Sequence, residues 1–195
     1  EQGAWYNLST HLPWIGMRTA QLESAHLELL RGVENPIGIK IGPQATPEWL
    51  EEVLHRANPH AEEGRLLLFT RLGAEHIEQL LPPFIEVVQK NKIPVTWSCD
   101  PMHGNTETTA DGIKTRHFDK ILLELKKAFE IHHQMNSYLG GVHFELTGDN
   151  VTECIGGARG LAADDLKQAY HSLVDPRLNY EQSIEMALQL SRHFR

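Results

Sequence analysis

Cysteine is scarce in this 195-residue sequence, which holds only Cys99 and Cys154. Two thiols cannot build a disulfide framework or a CxxC metal knuckle, and so low a count suits a reducing, cytosolic (cytoplasmic) setting. No apolar run reaches the roughly 18 residues that span a bilayer, which excludes a transmembrane helix and leaves no membrane role. Basic residues are outnumbered, 18 Lys and Arg against 26 Asp and Glu, for a formal charge of -8. That balance argues against nucleic acid as a partner, since non-specific binding draws on a basic face. It leaves room for a small anionic ligand held by a local cluster. Internal repeats, low-complexity tracts and long polar linkers are missing too, so residues 1–195 are expected to form one domain. The opening Glu1-Gln2-Gly3 shows neither an initiator Met nor the basic start and apolar stretch of a signal peptide.

What is present is globular. Hydrophobic residues make up 41% and charged residues 23%, near the averages for soluble domains, which excludes a disordered chain or a coiled coil. Four runs read as strands covered on both faces: 38–41, 65–70, 93–99 and 141–147, with a weaker fifth between Tyr6 and Leu12. Helical periods alternate with them. Thr46-Pro47 is a cap followed by Pro at the first helical position. Phe118, Ile121, Leu122, Leu125, Ala128 and Phe129 share one helical face, as do Leu166, Ala169, Tyr170 and Leu173. Asn179 caps a last helix through Ile184, Ala187, Leu188 and Phe194, with Gln182 completing the capping box. Pro82-Pro83 is expected to break or start a helix, splitting the stretch from Glu75 to Lys90.

Alternating strand and helix means βαβ units and a parallel sheet. A doubly wound sheet and a TIM barrel both fit. A complete (β/α)8 barrel takes about 250 residues, or about 31 per unit, so this chain has room for roughly six units.

In such folds ligands bind at the carboxyl ends of the strands. His103 follows the third strong run, Glu145 lies in the fourth and Asp175 precedes the last helix. Together they offer one nitrogen and two carboxylates to a divalent metal: Mn²⁺, Co²⁺, Fe²⁺ or Zn²⁺. Arg18, Lys40 and Arg71 offer cations to a phosphate or carboxylate. Plainer readings stand beside these. His103 also reads as a loop residue, Glu145 as half of a buried ion pair, and Lys40 as part of a solvent-exposed edge strand. Asp175 reads equally as a turn residue before Pro, and the charges of 119–127 as a solvated helix face.

These stretches, in order, resemble one family: the type II, plant and microbial, 3-deoxy-D-arabino-heptulosonate 7-phosphate (DAHP) synthases. The resemblance is carried by LPWIG with Arg18-Thr19, NPIGIK ending at Lys40, TRLG around Arg71, CDPMHGNT around His103, and KTRHFD from Lys114. The long GGVHFELTGDNVTECIGG from Gly140 and DPRLN from Asp175 complete it. It implies a TIM barrel of which only the later βα units are present, as a partial or half barrel. It also implies a transferase that condenses phosphoenolpyruvate (PEP) with erythrose 4-phosphate in the first step of the shikimate pathway to aromatic amino acids. The implied cofactor is a divalent metal, Mn²⁺ or Co²⁺ foremost, held by His103, Glu145 and Asp175. Trp14, Arg18, Lys40 and Arg71 match residues around PEP, and Lys114 and Arg116 fall on the sugar-phosphate side. Lys40 or His103 serves as the proton-transfer group. The family takes a fourth metal ligand from a Cys in an N-terminal region that this chain does not match, and usually has Glu where this chain has Met17.

Three functions are therefore open: the later part of a DAHP synthase, a stand-alone half-barrel that dimerises to close a barrel and runs another metal-assisted reaction, or a non-catalytic binding subunit. A homo-oligomer, a homodimer in the second case, is expected.

Overall fold

The computed structural model describes residues 3–192. Its centre is a parallel sheet of five strands in the order β1-β2-β3-β4-β7. These are β1 (Trp14–Ile15), β2 (Ile37–Ile41), β3 (Leu66–Thr70), β4 (Val95–Cys99) and β7 (Leu139–Val142). Helices connect them: α1 (Ala25–Arg31), α2 (Pro47–Ala57), α3 (Ile77–Asn91) and α4 (Phe118–Gln134), with α5 (Tyr180–Ser191) after the sheet. Between β4 and α4 a small antiparallel ribbon, β5 (Thr106–Thr108) with β6 (Lys114–Arg116), projects from the loop.

The alternation of side chains explains the layers. Ile37, Ile39 and Ile41 are fully buried, as are Leu66 and Leu68, and they join Leu50, Leu54, Ile77, Phe84 and Ile121 from the helices in one core. The other sheet face is different. Lys40, Phe69, Ser98 and Gly141 pair in register across four strands, so a single row carries a cation, a ring, a hydroxyl and a gap. Gly38 is required on this face, because a Cβ there would sit 2.5 Å from the Phe69 ring and 2.9 Å from Trp14 Cβ.

A sixth strand position follows β7. Leu178 N–H donates to the Glu145 carbonyl at 3.0 Å, and Thr147 N–H donates to the Leu178 carbonyl at 2.9 Å. This parallel bridge between Leu146 and Leu178 continues the sheet by one more step. Six adjacent parallel positions, the first five joined by α-helices and the last reached through a 3₁₀ turn, are part of a (β/α)8 barrel, and they match the six units that the length allows.

Several expectations are corrected. No strand forms between Tyr6 and Leu12; the first strand is Trp14–Ile15. The fourth strong strand covers Leu139–Val142 rather than 141–147, so His143 and Glu145 lie beyond its end. The period at 166–173 yields only a 3₁₀ turn over Ala163–Lys167, and Leu173 is almost fully exposed. Pro82-Pro83 does not break α3, which runs through both. Each interior Pro costs about 3 kcal/mol, and burial of Ile77, Leu81, Phe84, Ile85 and Val88 at about 1.5–3 kcal/mol each offsets it. Phe194 lies outside the described residues.

Candidate functional site

Parallel strands put their carboxyl ends on one edge, and the predicted residues gather there. Lys40 is the penultimate residue of β2, Arg71 follows β3, and Asp100 follows β4 with His103 three residues on. Glu145 lies just past β7, and Asp175 just before the bridge at Leu178.

His103, Glu145 and Asp175 each present a ligand atom, all within 4.8 Å of one another. His103 Nε2 is 3.2 Å from Glu145 Oε1 and 3.6 Å from Asp175 Oδ2. On its other side, Nδ1 lies 2.9 Å from Asp100 Oδ1. A carboxylate there holds the proton on Nδ1 and turns Nε2 toward the two acids, the usual support of a metal-binding imidazole. The donor set, one imidazole nitrogen and two carboxylates, fits a borderline divalent cation. Neither thiol joins it: Cys99 and Cys154 are fully buried, and burial raises both, Cys154 to about 12.

Two cations balance the acids. The β5–β6 ribbon carries Lys114 to Asp175, where the two pair. Arg116, fully buried, donates Nε to Thr106 Oγ1 at 2.9 Å and Nη1 to Glu145 and to the Pro176 carbonyl. Its Nη2 has no hydrogen-bond partner and points 3.8 Å from Asp175 Oδ2. Burial would raise the Glu145 carboxyl, but the His103 hydrogen bond and Arg116 hold it down to about 2. His103 moves the other way, raised by hydrogen bonds to Asp100 and then Glu145.

The cations expected to bind an anion adjoin this cluster. Lys40 is 7% exposed, so it is no edge-strand lysine. Its Nζ donates to Asp100 Oδ2 at 3.0 Å and lies 5.8 Å from the half-exposed Trp14 ring. His143 touches the Trp14 and Phe69 rings edge-on and sits 6.4 Å from His103. Arg71 donates Nη2 to the His103 carbonyl at 3.2 Å, leaves Nε unpartnered, and meets Met17 Sδ at 4.0 Å. Arg18, exposed in the 3₁₀ turn Met17–Thr19, takes no hydrogen bond or ion pair among the described residues.

Three buried carboxylates that tie the site's loops together are absent from the sequence expectations. Asp100 joins Lys40 to His103; burial would raise it, yet the bond to His103 and the two neighbouring cations keep it far below the usual range. Glu124 corrects the reading of 119–127 as wholly solvated, being fully buried on α4. Burial pushes its carboxyl up to about 7, against backbone donors Gly73 and Leu72 that favour the charge. Glu153, also fully buried, accepts from the backbone of His171, Ser172 and Arg177 and pairs with the Arg177 guanidinium. Helical period exposes the second: Glu124 lies three residues after Ile121 and four before Ala128, on the core face.

The profile of the Class-II DAHP synthetase family matches residues 1–191. The chain belongs to this family. It is 48% identical over 190 residues to the phospho-2-dehydro-3-deoxyheptonate aldolase AroG of Mycolicibacterium smegmatis, covering 97% of this chain and 41% of the relative. It is 49% identical over 193 residues to the phospho-2-dehydro-3-deoxyheptonate aldolase of Neurospora crassa, covering 98% of this chain and 40% of that one. The chain thus spans about two fifths of the length of these Class-II DAHP synthetase relatives. The fold is similar to that of a phospho-2-dehydro-3-deoxyheptonate aldolase from Francisella tularensis, with TM-score 0.56, 17% identity, and coverage of 94% of this chain and 55% of that chain. A truncated 3-deoxy-D-arabino-heptulosonate 7-phosphate synthase from Thermotoga maritima gives TM-score 0.51 and 16% identity, covering 93% and 57%. Nothing in these relatives favours the stand-alone half-barrel with other chemistry or the non-catalytic subunit.

Proposed function

We propose that this chain carries the metal side and much of the PEP side of a DAHP synthase, and that the protein it serves condenses PEP with erythrose 4-phosphate, releasing phosphate. The observation that carries the reading is the convergence of His103, Glu145 and Asp175 beside Lys40 and Arg71, two cations linked to the same His103–Asp100 pair.

A bound divalent cation, Mn²⁺ or Co²⁺ foremost, supplies Lewis-acid polarisation of the sugar-phosphate aldehyde. The protein's own groups do the rest. Arg71, with its free Nε, and Arg18, uncommitted at the rim, hold the charged ends of PEP and fix its alkene carbon toward the aldehyde. Trp14 bounds this space beside Lys40. Lys40 is assigned the proton transfer, a reading supported by its burial at the site and by Asp100, which orients its Nζ. Lys114 faces the sugar phosphate. Arg116, its guanidinium committed to Glu145 and the Pro176 carbonyl, instead holds Glu145 in place. A cytoplasmic setting and a homo-oligomer complete the proposal.

The test is phosphate release from PEP plus erythrose 4-phosphate with Mn²⁺, by this chain and by any longer protein that contains it. Turnover abolished by Lys40→Met supports the reading. Phosphate release by neither protein, with both substrates and Mn²⁺ saturating, overturns it.

A further inference from the structure

Two loops carry the two halves of this site, and they touch backbone to backbone. A Cβ on Gly104 would lie 2.4 Å from Gly73 N, and one on Gly73, whose φ is +86°, would lie 2.9 Å from the Gly104 carbonyl oxygen. Gly73 is two residues past Arg71, and Gly104 is next to His103. Glycine at both places permits this approach but does not hold it, because glycine also leaves the backbone free to move away.

The hold comes from the outer helix. Glu124 Oε1 accepts from Leu72 N and Gly73 N, both at 2.9 Å, and its Oε2 accepts from Asn105 Nδ2 at 2.6 Å. Asn105 returns the link: its Oδ1 accepts from Ala74 N at 3.0 Å, while Nδ2 also donates to the Pro101 carbonyl at 2.8 Å. One carboxylate therefore grips the Arg71 loop with one oxygen and the His103 turn with the other. Among the described residues no cation pairs with it, so its partners are these loop groups. A buried carboxylate with no countercharge is costly, and apolar packing fills such a volume as well or better for stability alone.

We infer that Glu124, acting through Asn105, is a positioning residue that sets the Arg71 loop and the His103 turn at one separation, and so places the anion-binding cation against the metal ligand. This rests on the proposed PEP and metal site.

The experiment compares the wild-type chain with Glu124→Gln, Asn105→Ala, the double variant Glu124→Gln/Asn105→Asp, and the core control Ile121→Val. Mn²⁺ affinity is read by electron paramagnetic resonance and PEP affinity by tryptophan fluorescence, at pH 8 and well below each melting temperature. In Glu124→Gln the new amide opposes the Asn105 amide donor to donor, and Kd for PEP and for Mn²⁺ is expected to rise about tenfold, the scale of lost support behind a ligand. Asn105→Ala does the same with Glu124 still bound to the Arg71 loop, and carries the test should Glu124→Gln fail to fold. The double variant restores a donor facing an acceptor between positions 124 and 105, but sets an Asp oxygen against the Pro101 carbonyl, so it is expected to recover part of both constants and not all. Ile121→Val, a buried loss on the same helix, leaves both within twofold. Constants unmoved in both single variants, or moved as much by Ile121→Val, overturn the inference and leave the proposed function standing. A wild-type chain that binds neither Mn²⁺ nor PEP overturns the function reading, and this inference with it.

Discussion

Glu153→Gln probes how the acidic arm of the site is built. Glu153 Oε1 accepts from His171 N at 3.1 Å, Ser172 N at 2.8 Å and Arg177 Nη2 at 2.8 Å, while Oε2 accepts from Arg177 N at 2.8 Å and Nε at 3.0 Å. Five bonds to one fully buried carboxylate pin both ends of the 171–177 loop. Inside that loop, Ser172 Oγ donates to the Asp175 carbonyl at 2.7 Å. An amide keeps one acceptor oxygen and turns a donor toward Arg177 N and Nε. Hydrogen bonds to a charged group contribute about 1.5–3 kcal/mol each. Losing two gives roughly 3–6 kcal/mol, and the half-open Arg177 side chain, which recovers water, brings the expectation to about 3 kcal/mol. For a chain of this size that is about 6–12 °C in melting temperature, with Mn²⁺ affinity falling because Asp175 rides on the loosened loop. Urea and thermal unfolding read the first, and Mn²⁺ titration of the folded variant reads the second. A loss below about 0.5 kcal/mol would refute the reasoning.

Two further outcomes follow from the same contacts. Gly104→Ala puts a methyl into the Gly73 backbone, where neither side can yield as a flexible side chain does, and should cost about 1–3 kcal/mol in chemical unfolding. His132 is 1% exposed, with Nδ1 2.8 Å from Ser137 Oγ and Nε2 unpartnered. Burial lowers it to about 4. The unfolded chain takes up this proton first, so its contribution is full above pH 6.5, declines as pH falls toward 4 and is level below that. The total is at most about 3 kcal/mol, and His132→Gln should remove that slice of the pH dependence of unfolding.

The strands that were legible are those whose apolar runs are buried against helices: 38–41, 65–70 and 93–99 match β2, β3 and β4 to within two residues. The fourth slipped because the apolar pattern runs on past the paired residues: 141–147 shares only Gly141 and Val142 with β7, where they pair with Ser98 and Cys99. The helix expected at 166–173 failed because its apolar residues have no shared core to face: Leu166 is buried while Leu173 is in solvent. At the site, cations and ligands at strand ends stood out as chemistry placed where ligands bind. Their supports did not. Asp100 and Glu153 act through backbone and side-chain partners that only the folded loops bring near, whereas the helical period alone places Glu124 on the core face, among charged neighbours that face solvent.

A Mn²⁺ titration of the folded wild-type chain beside His103→Ala, followed by electron paramagnetic resonance, asks whether His103, Glu145 and Asp175 hold a metal. One Mn²⁺ per chain is expected to bind, and to be lost in His103→Ala. A chain that binds no Mn²⁺, or binds it equally well without the imidazole, would contradict this.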